Sequence, residues 1–357
     1  MQQATLQAEK IIPGTQHDPS RIMQTGMGFW ASKVLLSAVK LRLFTVLAGR
    51  ALKGSQIRDI LKLQTSQRHV YDWLDALVSL GFLKRDGLLD EALYNNTPNT
   101  NYFLDQNKMS YLGGILEMSN NRLYEFWGNL EEGLKTGLPQ NETKGLGNSE
   151  SLFSELYNDT AKLQEFMDAM SGIQMANFMT LASKFNFSSY STMADIGGAD
   201  GSLSIQVCRR HPDIACTSFD LPQVAAVAAR KISQYNLDNR IEVMVGDFME
   251  DPLPEAKVIT MGNILHGLNE ENKQYLINKV YKALPKNGVL IAIENVIDNE
   301  RRHNTFGLLM SLNMLIENGD GFDYTLQDFE GWAANAGFKK VEYMPLTGPT
   351  SALLAYK

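Results

Sequence analysis

Between residues 195 and 266 the chain places three acids and a histidine at spacings that could hold an adenosyl group and move a proton. Asp195 opens the run Asp195-Ile-Gly197-Gly198-Ala199-Asp200-Gly201, where an apolar stretch ends and a helical pattern begins. Glycines there permit a tight turn and close approach of the backbone to a ligand. A dinucleotide site needs glycines at the first, third and sixth positions; counting from Gly197, the third is Ala199 and the sixth is Ser202. The run fits instead acidic-x-Gly-x-small-x-Gly, in which the acid can meet a cationic amino group. A ligand-free strand-to-helix turn has the same composition, so the acids further along the chain decide between the two. Asp220 stands 25 residues on (220 − 195), at the end of the next apolar stretch, where a carboxylate can accept both hydroxyl protons of a ribose. Asp247, in Val245-Gly-Asp247-Phe248, can take an adenine amino group while Phe248 offers a stacking face. Any one of these acids could be a helix N-cap, but three at successive strand ends outline an adenosyl pocket, since ligands of doubly wound sheets sit there. His266 follows the fourth apolar stretch. Its ordinary pKa of ~6.5 leaves imidazole largely neutral near pH 7 and able to take a proton from a hydroxyl. Standing alone it reads as a helix-capping or structural residue.

These residues need elements to position them. From Thr192 short apolar runs alternate with helical patterns, which predicts an α/β domain around a mostly parallel sheet. Strands are expected at 193–196, 215–219, 241–245, 258–261 and 289–294, with two more at 340–343 and 351–356. A helix over 306–316 and another over 325–335, capped by Thr325 and Asp328 and ended by Gly337, come between the strand at 289–294 and these last two. Upstream, helical patterns over 27–47, 57–61 and 67–80 run into a strand-turn signal at 82–87, the order of a winged helix. A long helical region over 112–134 breaks at 135–139, where the connection between domains is expected. The divisions are therefore 1–20, a polar arm; 21–137, a winged-helix domain; and 138–357, the α/β domain. A polar loop is expected over 140–149, and helices over 152–185.

A formal net charge of −7 argues against nucleic acid as the partner of that winged helix. Its third helix offers only Arg68 and His69 as groove-facing donors, with Asp72 beside them. An interaction domain and a small-molecule ligand fit better. Two cysteines, no leading basic-then-apolar segment and no apolar run of about 18 residues point to a cytoplasmic protein with no membrane span. No His, Cys and carboxylate cluster has the spacing of metal ligands along the chain, so no metal is expected. His17, His69, His211 and His303 read as surface residues.

Taken together, the runs from Asp195 to Gly201, Phe219-Asp220-Leu-Pro222, Val245-Gly-Asp247-Phe248 and Ile264-Leu-His266 resemble the plant and bacterial small-molecule O-methyltransferases. That family includes the caffeic acid, acetylserotonin and hydroxyneurosporene enzymes. The likeness runs from about residue 27 to 357. It implies a Rossmann-like S-adenosylmethionine-dependent methyltransferase domain behind an all-α winged-helix domain through which a homodimer forms. It implies S-adenosyl-L-methionine at Asp195, Gly197, Gly198, Gly201, Asp220, Leu221, Asp247 and Phe248, and methyl transfer to a hydroxyl of a small, aromatic or apolar acceptor. The general base falls on His266, steadied by Glu294 and by Asp323 in Gly321-Phe-Asp323-Tyr-Thr325. Met170, Met314 and Asn318 fall on substrate-facing positions, with Phe166 nearby. The chain departs from the family where Gly267 and Leu268 stand in place of Asp-Trp, Asp323 in place of a Glu, and Ala199 in place of a glycine. Carbon or nitrogen methylation on the same scaffold and a cofactor-sensing regulator are the rival readings.

Overall fold

The computed structural model describes residues 17–108, 110–144 and 160–357. Positions 1–16 of the expected arm, 145–149 of the expected loop and 152–159 of the expected helices lie outside them. The chain forms two compact units that divide between residues 109 and 110.

In the first unit α1 (Gly28–Lys40), α2 (Gly54–Ile60) and α3 (Gln67–Ser79) accompany a small antiparallel sheet of β1 (Leu52–Lys53), β2 (Leu83–Asp86) and β3 (Leu93–Asn96). Ser66 caps α3 by accepting the His69 N–H, and Val70, Leu74 and Leu77 recur at helical spacing and are buried. Gly81, at φ +79°, ends the helix and turns the chain into β2. Arg68 on this helix pairs with Asp72 one turn on. Leu36 and Val39 of α1 are buried, while Phe29 and Trp30 remain 52% and 61% exposed.

The second unit begins with a helical stretch from α4 (Gly113–Met118) through a π turn at Ser119–Leu123 to α5 (Leu130–Thr136). The connection expected at 135–139 therefore lies inside this unit. The physical reason is packing against a later helix, α10 (Thr305–Asn318): Trp127 Nε1 donates to Asn313 Oδ1 at 2.9 Å, Arg122 pairs with Glu317 at 3.1 Å, and Gln140 N–H donates to the Ile316 carbonyl oxygen at 2.8 Å.

After α6 (Thr160–Lys184) come β4 (Thr192–Ile196), α7 (Ser202–Arg210), β5 (Ala215–Asp220), α8 (Pro222–Gln234), β6 (Ile241–Val245), β7 (Val258–Gly262), α9 (Glu270–Ala283) and β8 (Val289–Glu294). Then α10, α11 (Leu326–Ala336), β9 (Lys340–Pro345) and β10 (Ser351–Tyr356) follow. Seven strands line up as β6-β5-β4-β7-β8-β10-β9. The first five are parallel, and β10 runs antiparallel to both its neighbours. Helices cover both faces, so β8 is apolar until its last residue and buried throughout. On one face Ala194, Ile259 and Leu290 meet Leu276, Ile277 and Val280 of α9 with Phe329 and Trp332 of α11. On the other, Val258, Val289 and Ile291 meet Leu181 of α6 and Leu203 and Val207 of α7.

Candidate active site

The chain runs outward from β4 through β5 to β6 and returns to β7 on the other side of β4, which opens a crevice at the carboxyl ends of β4 and β7. Asp195 lies there, in register with Thr260 of β7, whose hydroxyl donates to Asp195 Oδ1 at 2.6 Å. Burial pushes the Asp195 carboxyl up to about 7, with Asp220 and Asp200 adding to the push and Thr260 opposing it.

The turn beyond Asp195 depends on its small residues. Gly197 and Gly201 have φ of +66° and +77°, which glycine adopts freely. A Cβ on Gly198 would lie 2.5 Å from Ser218 Oγ and 3.0 Å from the Asp195 carbonyl oxygen. Ala199 also has a positive φ, +51°, where its side chain costs about 1–2 kcal/mol. Its N–H donates to Asp220 Oδ2 at 2.9 Å, and Leu221 N–H donates to Asp220 Oδ1 at 2.8 Å, tying the turn to the end of β5. Burial pushes the Asp220 carboxyl up to about 6 against those two bonds. A carboxylate has roughly four lone-pair sites, so each oxygen keeps one for a ligand. Beyond β6, Asp247 accepts the Met249 N–H at 2.7 Å, and the Lys279 ammonium donates to the Phe248 carbonyl oxygen at 2.8 Å.

Asp200, inside the glycine turn, was given no role by the sequence. It is buried, pairs with Lys231 of α8, and accepts the Ser171 hydroxyl of α6 at 2.5 Å and the Ser202 N–H at 3.1 Å. Its side-chain partners lie 29 and 31 residues away along the chain, so no local pattern marks them.

His266 occupies a single 3-10 turn, Leu265–Gly267, just past β7. The N–H groups of Leu265 and His266 donate to Glu294 Oε1 at 3.0 and 3.4 Å, so the acid at the end of β8 holds the turn by its backbone. Its other oxygen, Oε2, lies 3.9 Å from His266 Nδ1, and Asp323 Oδ2 lies 3.6 Å from the same nitrogen. All three side chains are buried. Catalytic hydrogen bonds are often long before a substrate complex forms. Burial pushes the imidazole down, but Glu294 and Asp323 outweigh it and raise its pKa above the ordinary value of 6.5, with Lys273 opposing them. Burial pushes Glu294 up to about 7, with His266 opposing.

The Asp323 segment comes this close because Gly321 has no side chain; a Cβ there would lie 2.9 Å from the backbone of His266 and Gly267. Ile297 N–H donates to the Tyr324 carbonyl oxygen at 2.9 Å and holds the segment. The side chain of Asn318 donates to the Gly267 carbonyl oxygen at 3.2 Å and approaches Met314 Sδ at 3.8 Å. Asn318 and Met314 are thus brought to the turn of His266, and a Cβ on Gly267 would crowd Asn318 Nδ2 at 3.2 Å. Phe166 and Met170 lie half-buried on α6.

Two sequence expectations need adjusting. Spacing along the chain gave no metal-like cluster, yet the fold brings donor atoms of His266, Glu294 and Asp323 within 4.8 Å of one another, because three separate segments converge. His211 is not simply a surface residue: its Nε2 donates to the Ala182 carbonyl oxygen at 2.8 Å, and its Nδ1 meets Ser188 Oγ at 2.9 Å.

This sheet order, with a glycine turn after β4 and acids at successive strand ends, defines a Rossmann-like domain of the S-adenosylmethionine-dependent methyltransferase class. Residues 127–339 match the model of the O-methyltransferase domain, and residues 23–106 that of the O-methyltransferase dimerisation domain. The chain therefore belongs to the family of S-adenosylmethionine-dependent O-methyltransferases. The tetracenomycin polyketide synthesis 8-O-methyl transferase TcmO of Streptomyces glaucescens is 33% identical over 95% of this chain and 97% of its own. Human acetylserotonin O-methyltransferase is 28% identical over 92% and 95%. The crystal structure of human N-acetylserotonin methyltransferase in complex with SAM matches with a TM-score of 0.87 at 26% identity, over 97% of this chain and 99% of that one. PigF with SAH matches at 0.84 and 25% identity, over 96% and 100%. Among the described residues no helix is long and apolar enough to cross a membrane.

Gly198→Ala is expected to destabilise the protein by about 1–3 kcal/mol, the usual cost of overpacking, because the Asp195 carbonyl oxygen cannot yield as a side chain could. Urea unfolding measures it, and an unchanged midpoint at unchanged slope would show that the turn has room.

Proposed function

We propose that this enzyme moves the methyl group of S-adenosylmethionine to a hydroxyl oxygen of a small, aromatic or apolar acceptor, with His266 as general base. The observation that carries the reading is a single buried imidazole whose Nδ1 faces two buried carboxylates. A carboxylate on the Nδ1 side holds the tautomer that leaves Nε2 open to an acceptor. S-adenosylmethionine, when bound, would supply the electrophilic methyl carbon, whose bond to the sulfonium sulfur breaks to leave neutral S-adenosylhomocysteine. Nε2 accepts the hydroxyl proton as the oxygen attacks, and Glu294 and Asp323 balance the imidazolium that forms. Met314, Phe166 and Met170 supply apolar surface for the acceptor, and Asn318 a polar contact. Incubation with methyl-labelled cofactor and a panel of phenols, enols, amines and cell extract identifies the acceptor and the atom that gains the label. A strongly hydrophilic acceptor, or label on carbon or nitrogen, would overturn this part of the reading.

His266→Ala should lower turnover by about 10² to 10⁴ and leave cofactor affinity nearly intact. Glu294→Gln should act in the same direction and more weakly, since an amide accepts a hydrogen bond but cannot balance a positive charge. Turnover should rise with pH through a midpoint above 6.5, the imidazole being protonated and inactive below it. Treatment with EDTA should leave activity unchanged, because Nδ1 and the carboxylates need no ion between them. Loss of activity on chelation, restored by a divalent cation, would replace the base by a metal.

For the cofactor we assign Asp195 to the amino group, Asp220 and neighbouring Leu221 to the ribose, Asp247 and Phe248 to the adenine, and Gly197, Gly198 and Gly201 to the cradle. The fit is supported by the open lone pairs of Asp220 and by a turn that a Cβ at Gly198 would fill. Asp195 must be ionised to meet the amino group and Asp220 to accept two hydroxyls, so affinity should fall as pH drops below about 7 and more steeply below about 6, by up to about tenfold per unit for each proton taken up. Calorimetry between pH 7.5 and 5 tests this, and Asp220→Ala should weaken binding by roughly tenfold or more at pH 7.5.

We also propose that the protein works as a homodimer through its first unit. The dimerisation-domain match and the exposed Phe29 and Trp30 support this, since large apolar side chains left side by side usually face another chain. Light scattering at micromolar concentration should give twice the mass of one chain; a monomeric mass would refute it.

A further inference from the structure

Lys273 sits where a lysine is least expected. Positions 273, 276, 277 and 280 share one face of α9, and all four residues are buried in the core. A buried lysine ordinarily has a paired carboxylate; among the described residues none lies within ion-pairing distance of this one. Its ammonium donates instead to the carbonyl oxygen of Leu268, the residue that closes the turn of His266. It also lies 3.3 Å from the centroid of the Phe322 ring, with the rings of Tyr324 and Trp332 each at 5.9 Å. Phe322 and Tyr324 flank Asp323. One side chain therefore touches the backbone just beyond His266 and the ring of Phe322, and lies near Tyr324, the other aromatic neighbour of the carboxylate that faces His266.

We propose that Lys273 is a positioning residue for methyl transfer, a fixed cation that ties the His266 turn to the Asp323 segment and offsets the carboxylates of Glu294 and Asp323, so that more of the imidazole stays unprotonated than it would without the ammonium. The inference rests on His266 being the base. Glu294 and Asp323 face the imidazole with both carboxyl groups buried, so negative charge gathers on one side of the ring in a site shielded from solvent. Such a cluster draws a proton from solvent, and a proton on His266 disables it. An ammonium nearby offsets part of that charge without occupying the ring.

The charged groups bearing on Lys273 are Glu294 from β8, Asp323 and Asp320 from the segment before α11, and Glu270 from its own helix. Those bearing on His266 are Glu294, Asp323 and Lys273. Burial keeps the packed Tyr324 hydroxyl neutral. Burial also pulls Lys273 down to about 8 against the carboxylates, which leaves it mostly cationic at neutral pH. The face of Phe322 adds attraction for a cation shielded from solvent.

Three variants of the full chain separate charge from tether. Lys273→Gln keeps a donor for the Leu268 carbonyl oxygen and loses the charge, Lys273→Met loses both, and Lys273→Arg keeps both. NMR of 13Cε1-labelled histidine, with His266 assigned by the signal missing from His266→Ala, reads the midpoint of this ring whether or not it is the base. The Gln and Met variants should raise that midpoint by about one pH unit, while Arg leaves it near the wild-type value. Turnover of the Gln variant at pH 7 should fall by up to about tenfold, because the neutral fraction of the ring drops by that factor when its midpoint rises so far, and recover by pH 9, with cofactor affinity unchanged. A midpoint that does not move in a folded Gln or Met variant overturns the proposal. Should Met fail to fold, Gln against Arg decides by the same reading. A midpoint that moves while the pH dependence of turnover does not would keep the electrostatic assignment and remove His266 as the base.

Discussion

An imidazole, two carboxylates and an ammonium share one water-poor region at the carboxyl ends of β7 and β8, and much of the surrounding structure answers to that constraint. A buried charge without compensation costs several kcal/mol, so the groups persist only as a set. Each comes from a different element: a 3-10 turn, the end of β8, the segment before α11, and the face of α9. Bringing four elements to one place requires the missing side chains of Gly267 and Gly321, the bonds from two backbone N–H groups to Glu294 Oε1, and the aromatic wall of Phe322, Tyr324 and Trp332.

The other side of the crevice is built by different means. There the backbone does most of the shaping, through a turn of positive φ angles and N–H groups aimed at Asp220. Burial holds Asp195 and Asp220 above the ordinary carboxylate range, with Asp220 and Asp200 adding to the push on Asp195 and Asp247 to that on Asp220, a condition that a cationic ligand relieves. Thr260 joins the two sides, because its strand leads to the His266 turn while its hydroxyl holds Asp195.

The five parallel strands were readable from sequence to within a residue, as at 241–245 and 289–294, because a sheet covered on both faces needs unbroken apolar runs, whereas the edge strand expected at 340–343 runs on to Pro345 and the short β1 and β3 gave no such run. The acids at strand ends were readable for a related reason: their spacing follows the βα repeat. What the one-dimensional pattern did not carry is long-range packing. The break at 135–139 resembled a linker, although Gly133 and Gln140 pack on α10. Gly267 read as a departure from the family pattern, and only the approach of Asn318 and Gly321 shows what its small size allows. A sign of Lys273 was present, a lysine on the apolar stripe of α9, but long lysine stems often cover apolar surface with the charge in water. Only the aromatic enclosure shows that this one does not.

The place of β10 bears on how the protein is made. It lies between β8 and β9, with Ser351 opposite Glu294, so β8 gains its second neighbour only from residues synthesised 57 positions later (351 − 294). At about 5 to 20 residues per second, a growing chain carries β8 as an unsealed apolar edge for about 3 to 11 seconds. Such edges adhere to other strands. A ribosome that stalls between these two strands would thus release a chain that is inactive and prone to aggregate, although the glycine turn and every acid assigned to the cofactor had already been translated.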